Sequence, residues 1–404
     1  MGESPGGPEK REEESVRSGM RNVKAMGIVS FFTDFSTEMV LGLLPIFVIS
    51  SLGGSRALLG AIEGSADLVS YAFRMVSGSA SDKIGRRKIF VVLGYSLSAF
   101  TKPLFAFVQT PLGALAVRVS DRMGKGIRTA PRDALIADSV PESVSGKAFG
   151  IHRTMDQFGA VVGPLVAFAL VSLIGIRGVF LFSLVPGLIG VLVLVLFVRE
   201  VAVKRSAKVA ITANILRLLR QNRQFVLLLV VTAIFSAGAF NFSFVILRST
   251  DYGVDKNAGP LIYAVINIAH TAIGYPSGTL SDRIGKPRML MIGYGVFVVS
   301  ALMMAIPVAG GPGVPYAYLL AAVYGVYAGI TETLQRAIIP RFVKSEERGT
   351  AYGLYNLVTG IGLLAGGVVF GFLWDSNGIL AASIYSMLLA AISAALLAIL
   401  FAKK

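Results

Sequence analysis

Long apolar runs recur along this chain, for example from Phe180 to Val198, from Phe225 to Phe235 and from Leu380 to Phe401. About 20 apolar residues cross a bilayer as a helix. In lipid, every backbone N–H and C=O must be satisfied within the chain, so only helices and closed barrels span it. These runs are too long and too continuous for barrel strands, which alternate over roughly ten residues. Composition points the same way. Charged residues make up 15% of the 404 and hydrophobic ones 54%, whereas soluble domains carry roughly 25% charge. A soluble enzyme and a disordered chain are both excluded. The fold class is an all-α polytopic membrane protein.

Hydropathy places twelve spans, at about 25–51, 58–80, 89–109, 113–138, 146–172, 177–198, 224–248, 257–280, 289–308, 316–339, 348–373 and 378–401. Residues 1–24 read as a polar cytoplasmic tail without the apolar core of a signal peptide. Residues 199–223 form the one long connection, a cytoplasmic linker between bundles at 25–198 and 224–404. Ile215, Leu218 and Leu219 are spaced for an amphipathic helix over 210–223, lying on the membrane surface. An internal repeat supports the division. The segment Gly78 to Arg86 aligns with Gly278 to Lys286, bringing Asp82 onto Asp282 and Gly85 onto Gly285 at an offset of 200. Gly150, Gly159 and Gly163 align with Gly353, Gly362 and Gly366 at an offset of 203. Parallel duplication of this kind is found in secondary transporters, with the substrate held at the midplane between the repeats.

The chain carries a formal net charge of +15, and its distribution argues for topology rather than for a nucleic-acid partner. Lys83, Arg86, Arg87 and Lys88, the linker, then Arg283, Lys286 and Arg288, and Arg341, Lys344 and Arg348 all fall on one side. The other side holds only Arg56, Arg177, Arg248 and Lys256. Positive loops stay inside, so both termini are expected in the cytoplasm and the chain in the cell membrane. No cysteine occurs, which excludes disulfides and thiolate metal or redox sites.

Charges within the spans are the informative feature, because one at a helix centre costs about 2.5–3.5 kcal/mol on insertion scales. At 100° per residue, Arg118, Asp121, Arg122, Lys125, Arg128, Arg132 and Asp133 occupy roughly 140° of the fourth span. That face must look into the protein or into water, and Pro131 is expected to kink the helix. Glu63, Asp67 and Arg74 share a face of the second span, and Asp34 and Glu38 are one turn apart in the first. The fifth span holds His152, Arg153 and Asp156. The second half is sparser, with Glu332, Gln335 and Arg336 in the tenth span and Asn241, Asn267, His270 and Asn356 elsewhere. These charges imply a paired network around a polar cavity; the bland alternative is a network that only keeps helices in register. The two histidines, His152 and His270, read as polar residues satisfied between helices, and no spacing demands a metal.

Gly78-x-x-x-Asp82-Lys83-x-Gly85-Arg86-Arg87 resembles the loop motif G-x-x-x-D-R-x-G-R-R of the major facilitator superfamily, with Lys83 for the usual arginine. Gly150, Gly159, Gly163 and Pro164 resemble the superfamily's antiporter motif, although Ala167 and Phe168 stand where it prefers glycine. Arg122-x-x-Lys125-Gly126 resembles its R-x-x-Q-G motif. The resemblance runs from about residue 25 to the end. It implies two six-helix pseudo-repeats, a monomer, and kinship with the drug/proton antiporter branch. It also implies a cytoplasmic gate at Gly78, Asp82, Gly85, Arg86 and Arg87 with the echoes Asp282 and Gly285, for which Asp133 or Asp138 is a natural partner, and close helix packing at the three glycines.

The expected function is secondary active transport, with no enzymatic chemistry and no cofactor: there is no G-x-x-x-x-G-K-[ST] loop for ATP. The first expectation is a proton-coupled antiporter that exports a small organic compound, with Asp34, Glu38, Asp67 and Asp156 as candidate proton carriers. Phe31, Phe32, Phe35, Phe240, Phe242 and Phe244 are candidates for an apolar wall, though most are expected to be core. The alternative is an organic anion or organophosphate transporter that uses the basic face of the fourth span, since a charged clamp suits such groups. A membrane receptor or scaffold is the third class, and the duplication and charged interior argue against it.

Overall fold

The computed structural model describes residues 8–201, 215, 218–308, 313–344 and 347–402, with the side chains of 8–15, Arg336 and Ala402 outside the description. Among the described residues there are helices and no strands. The long helices are α1 (Pro8–Leu41), α2 (Arg56–Ile84), α3 (Lys88–Thr101), α4 (Pro111–Ser139), α5 (Glu142–Phe182), α6 (Leu184–Phe197), α7 (Arg223–Gly238), α8 (Phe242–Asp251), α9 (Gly259–Ile284), α10 (Lys286–Ala305), α11 (Val314–Ile338) and α12 (Arg348–Ala402).

Their ends are set by local chemistry. Ser55 accepts from Leu58 N at 3.1 Å, Thr110 from Gly113 N at 3.2 Å and Asn222 from Phe225 N at 2.9 Å. Each caps an orphan N–H of a first turn. Gly85 closes α2 at φ 72°, a left-handed conformation that suits glycine. At ~1.5 Å per residue, the 55 residues of α12 would reach about 80 Å, well over a ~30 Å hydrocarbon layer. Gly378, at φ 83° and ψ 169°, breaks that helix, and Gly175, at φ 69° and ψ 171°, breaks α5. Both breaks fall in the gaps that hydropathy leaves at 172–177 and 373–378.

Large apolar side chains such as Leu173, Leu192, Phe197, Phe107 and Phe372 are exposed on the outside. Charged residues in the middle of α2 and α4, among them Glu63, Arg118, Asp121, Arg122 and Arg128, are buried inside, the reverse of a soluble protein. In the first half α1 packs on α5 and α6, and α4 on α2 and α3. The second half repeats this, with α7 on α12 and α11 on α9 and α10. The halves meet along α2 with α12 and along α5 with α9.

One detail departs from the sequence expectations. Residues 8–24, expected as tail, are helical, and Asn22 and Val23 are buried. Asn22 bonds to Ser139 Oγ at 2.9 Å and accepts from Arg199 N at 2.8 Å, which ties the start of the bundle to both later segments. Helix α4 runs unbroken through Pro131. The amphipathic helix expected over 210–223 lies largely outside the described residues.

Candidate functional site

A cavity of about 360 Å³ lies between the halves. Its first-half wall is charged: Glu63, Asp67, Arg74, Arg118, Arg122 and Lys125, from α2 and α4. Its second-half wall combines aromatic rings, Phe235, Phe240, Phe242, Tyr324, Tyr327 and Tyr355, with polar side chains, Asn241, Glu332, Gln335 and Asn356. The periodicity of α2 and α4 brings their charges to this one place.

Part of the network is closed on itself. Arg118 Nη2 lies 2.7 Å from Glu63 Oε2, and its Nη1 lies 3.4 Å from Asp121 Oδ2, with all three side chains buried. Ser98 donates to Asp121 at 2.5 Å, and Ser243, from the second half, donates to Glu63 at 3.3 Å. Buried Lys102 donates to Thr37 Oγ1 at 3.1 Å. Asp67, Arg122 and Lys125 differ: their side chains form no ion pair or hydrogen bond with the described residues, and Arg122 Nε is buried without a partner. Asp67 and Arg122 neighbour each other, and Lys125 neighbours Asp34, but none of the three is held in a direct pair, so their polar atoms can meet a cargo.

The other candidates are distributed elsewhere. Arg128 turns from the cavity and stacks its guanidinium 4.4 Å above the Tyr95 ring. Asp34 and Glu38 do not line the central cavity; Asp34 neighbours Asp156 and Lys125. Asp156, Arg132 and Asp133 line a second cavity of about 880 Å³, together with His152, Arg153, His270 and Glu332. There a chain of contacts crosses the halves. His270 Nε2 lies 2.9 Å from Glu332, Glu332 lies 3.3 Å from Arg153, and Arg153 lies 3.3 Å from Asp156, which accepts from Ser30 at 2.5 Å. His152 is buried, yet its Nε2 has no partner among the described residues, contrary to the expectation of a satisfied interface residue.

Within the expected gate set, Arg87 rather than Arg86 carries the pairing among the described residues: it lies 3.0 Å from Asp138 and 3.4 Å from Asp82. Asp133 pairs instead with its neighbour Arg132 at 2.8 Å. Glu200 accepts from the backbone N–H of Arg87 at 2.9 Å and of Lys88 at 3.0 Å. Gly78 leaves a Cβ 3.2 Å from Ala130. In the second half, Asp282 is exposed near the end of α9, and Gly285 follows at φ 95°.

Of the antiporter-like glycines, two face α1. A Cβ on Gly159 would collide with the Phe31 carbonyl, and one on Gly163 would come within 2.6 Å of the Phe35 carbonyl. Pro164 is buried beside them. Gly150 borders the second cavity, where a Cβ would meet nothing within 4 Å, so the close approach expected there is absent. Of the phenylalanines, Phe240 and Phe242 line the central cavity and Phe244 is core, while Phe31 packs on Phe32 and Phe158.

The halves close tightly at one end. Gly60 stands against Gly367, Gly371 against Arg56, and Gly42 against Pro260, each too close for a side chain. Asp375 Oδ2 accepts from Arg56 N at 2.9 Å and from Ala57 N at 3.2 Å, while its Oδ1 lies 3.0 Å from Arg56 Nη1. The same guanidinium lies 4.7 Å above the Trp374 ring. Hydropathy passes over this cluster, since nothing in spacing pairs residue 56 with residue 375. At the opposite end, which carries the basic loops, Gly146, Gly150 and Gly349 face open space and Tyr275 is exposed.

The family model described as Major Facilitator Superfamily matches residues 26–307 and 226–404. The chain belongs to the major facilitator superfamily. An MFS-type transporter of Methanocaldococcus jannaschii is 33% identical over 396 residues, spanning 96% of this chain and 97% of that one. The multidrug resistance protein MdtG of Proteus mirabilis is 26% identical over 301 residues, 72% of this chain and 74% of its own. Among solved structures, the nucleoside transporter NupG superposes with a TM-score of 0.73 at 18% identity, covering 94% of this chain and 98% of that one. A POT family transporter superposes at 0.79 with 12% identity over 95% and 96%. At these identities the superpositions show the fold alone. As a family member the protein is a multi-pass membrane transporter of small molecules and not an enzyme.

Proposed function

We propose that this protein is a twelve-span secondary transporter that exports a small organic compound in exchange for protons. The observation that carries the reading is Asp67: of the candidate proton carriers Asp34, Glu38, Asp67 and Asp156, it alone lines the central cavity, and there it meets no cation within ion-pair distance among the described residues. A proton and a cargo compete for such a group. The two halves rock about the cavity, with the end at Arg56 and Asp375 closed and the end bearing the basic loops open. By the positive-inside rule, the open end and both termini face the cytoplasm of the cell membrane. Resemblance to MdtG, a multidrug resistance protein by name, supports export. The cavity is complete within one chain, in keeping with a working monomer.

The test is proton movement in proteoliposomes that hold an internal pH dye under an imposed gradient. Organic cations, neutral compounds, zwitterions and anions are added in turn. The expected result is gradient collapse with one class and its loss in Asp67→Asn. Flux of a compound without any change in proton movement would contradict the exchange.

A further inference from the structure

We infer that the cargo is a small aromatic zwitterion of amino-acid size, bearing an ammonium group, an acid group and a ring. The inference rests on the central cavity being the transport site. Three observations converge on it.

The first is the charge left over on the first-half wall. Glu63 and Arg118 satisfy each other at 2.7 Å. Asp67 on α2 and Arg122 and Lys125 on α4 enter no ion pair or hydrogen bond with the described residues. Arg122 is 6% exposed and its Nε has no partner. A buried charge needs a counter-charge, and although Asp67 and Arg122 neighbour each other, neither sign has a partner in direct contact. A simple anion would face Asp67, and a simple cation would face Arg122 and Lys125. A molecule with both charges answers all three: its ammonium to Asp67, its acid group to the forked guanidinium of Arg122 and the ammonium of Lys125.

The second is the facing wall. Phe240 and Tyr324 are stacked at 5.7 Å, and Tyr324 and Tyr327 meet edge-on at 5.4 Å. The Tyr324 hydroxyl donates to the Phe240 carbonyl at 3.1 Å, which holds the ring in place before any cargo arrives. A preformed aromatic face suits an aromatic ring packed offset or edge-on. The third is size. The cavity of about 360 Å³ is at the small end of the ~300–1,000 Å³ that ligand sites occupy. Exchange then has a chemical cause, because the ammonium of the cargo and the proton contend for one carboxylate.

The experiment is counterflow in proteoliposomes with no proton gradient, using L-phenylalanine, 3-phenylpropionate and 2-phenylethylamine. They share a ring and differ only in charge. The expected result is exchange of phenylalanine at least tenfold faster than of the other two. Asp67→Asn should slow phenylalanine at least tenfold and speed phenylpropionate. Wild-type preference for the amine or the acid, no exchange of any of the three, or unchanged phenylalanine exchange in Asp67→Asn would overturn the inference. Phenylalanine counterflow without proton movement would leave the cargo assignment standing and defeat the exchange reading. Proton exchange driven only by compounds outside the zwitterion class would do the opposite.

Discussion

Asp375 holds the closed end by three contacts, and removing it should shift the protein toward a state open at that end. The carboxylate accepts from the N–H groups of Arg56 and Ala57 and pairs with the Arg56 guanidinium. The two side chains are 32% and 28% exposed, so water screens the pair. An exposed ion pair contributes about 0.2–1 kcal/mol, and an anion at a helix N-terminus about 0.3–1 kcal/mol. Together they favour the closed end by about 0.5–2 kcal/mol, a factor of roughly 2–30 in the ratio of states. Ser55 still caps Leu58 in the variant, so α2 keeps part of its N-terminal cap. The chain has no cysteine, and Phe242→Cys therefore places a single thiol in the cavity. Labelling by a membrane-impermeant maleimide added from the Arg56 side reads the opening. Asp375→Ala should raise the rate about 2–30-fold, and Asp375→Asn, which keeps an acceptor but loses the charge, should fall between. An unchanged rate in protein that elutes as a single folded species would refute the reasoning.

Gly159→Ala should lower the thermal midpoint of the detergent-solubilised protein, because the added methyl meets the Phe31 carbonyl, whereas Gly150→Ala, with open space around it, should not; fluorescence of the single tryptophan during heating reads both. Glu63→Gln removes the main partner of buried Arg118 and should cost about 3–5 kcal/mol, with part of the loss recovered when Arg118→Met is added; denaturant unfolding of the single and double variants checks the coupling. Arg87→Gln should change stability by less than about 1 kcal/mol per partly exposed pair, but should free the 82–88 loop, seen as faster amide exchange at Lys88.

Much of this architecture is legible in the sequence because lipid imposes one rule along the whole chain. The breaks at Gly175 and Gly378 fall where hydropathy leaves gaps, since a helix folding back in a bilayer needs a short interruption. The helical phase of α4 put its charges on one face. It did not separate Arg122 and Lys125, which line the cavity, from Arg128, which stacks on Tyr95, or Arg132, which reaches the second cavity. Phase sets direction around an axis, while depth along it and the neighbouring helix decide what a side chain meets. The aromatic wall shows the same gap. Phe240 and Phe242 were candidates, but Tyr324, Tyr327, Tyr355 and Phe235 sit in ordinary apolar runs and are brought together only by packing of the second half. Residues 8–24 are polar enough to read as tail, yet Gly19, Met20, Asn22 and Val23 secure their end to the bundle.

The central claim is that proton and cargo compete for Asp67. Its most direct measurement is proton release on cargo binding, made on purified protein in weakly buffered solution with a compound that collapses the gradient in the dye assay. The account predicts proton release from the wild type and none from Asp67→Asn at equal occupancy. Proton uptake on binding, or equal release from both proteins, would contradict it.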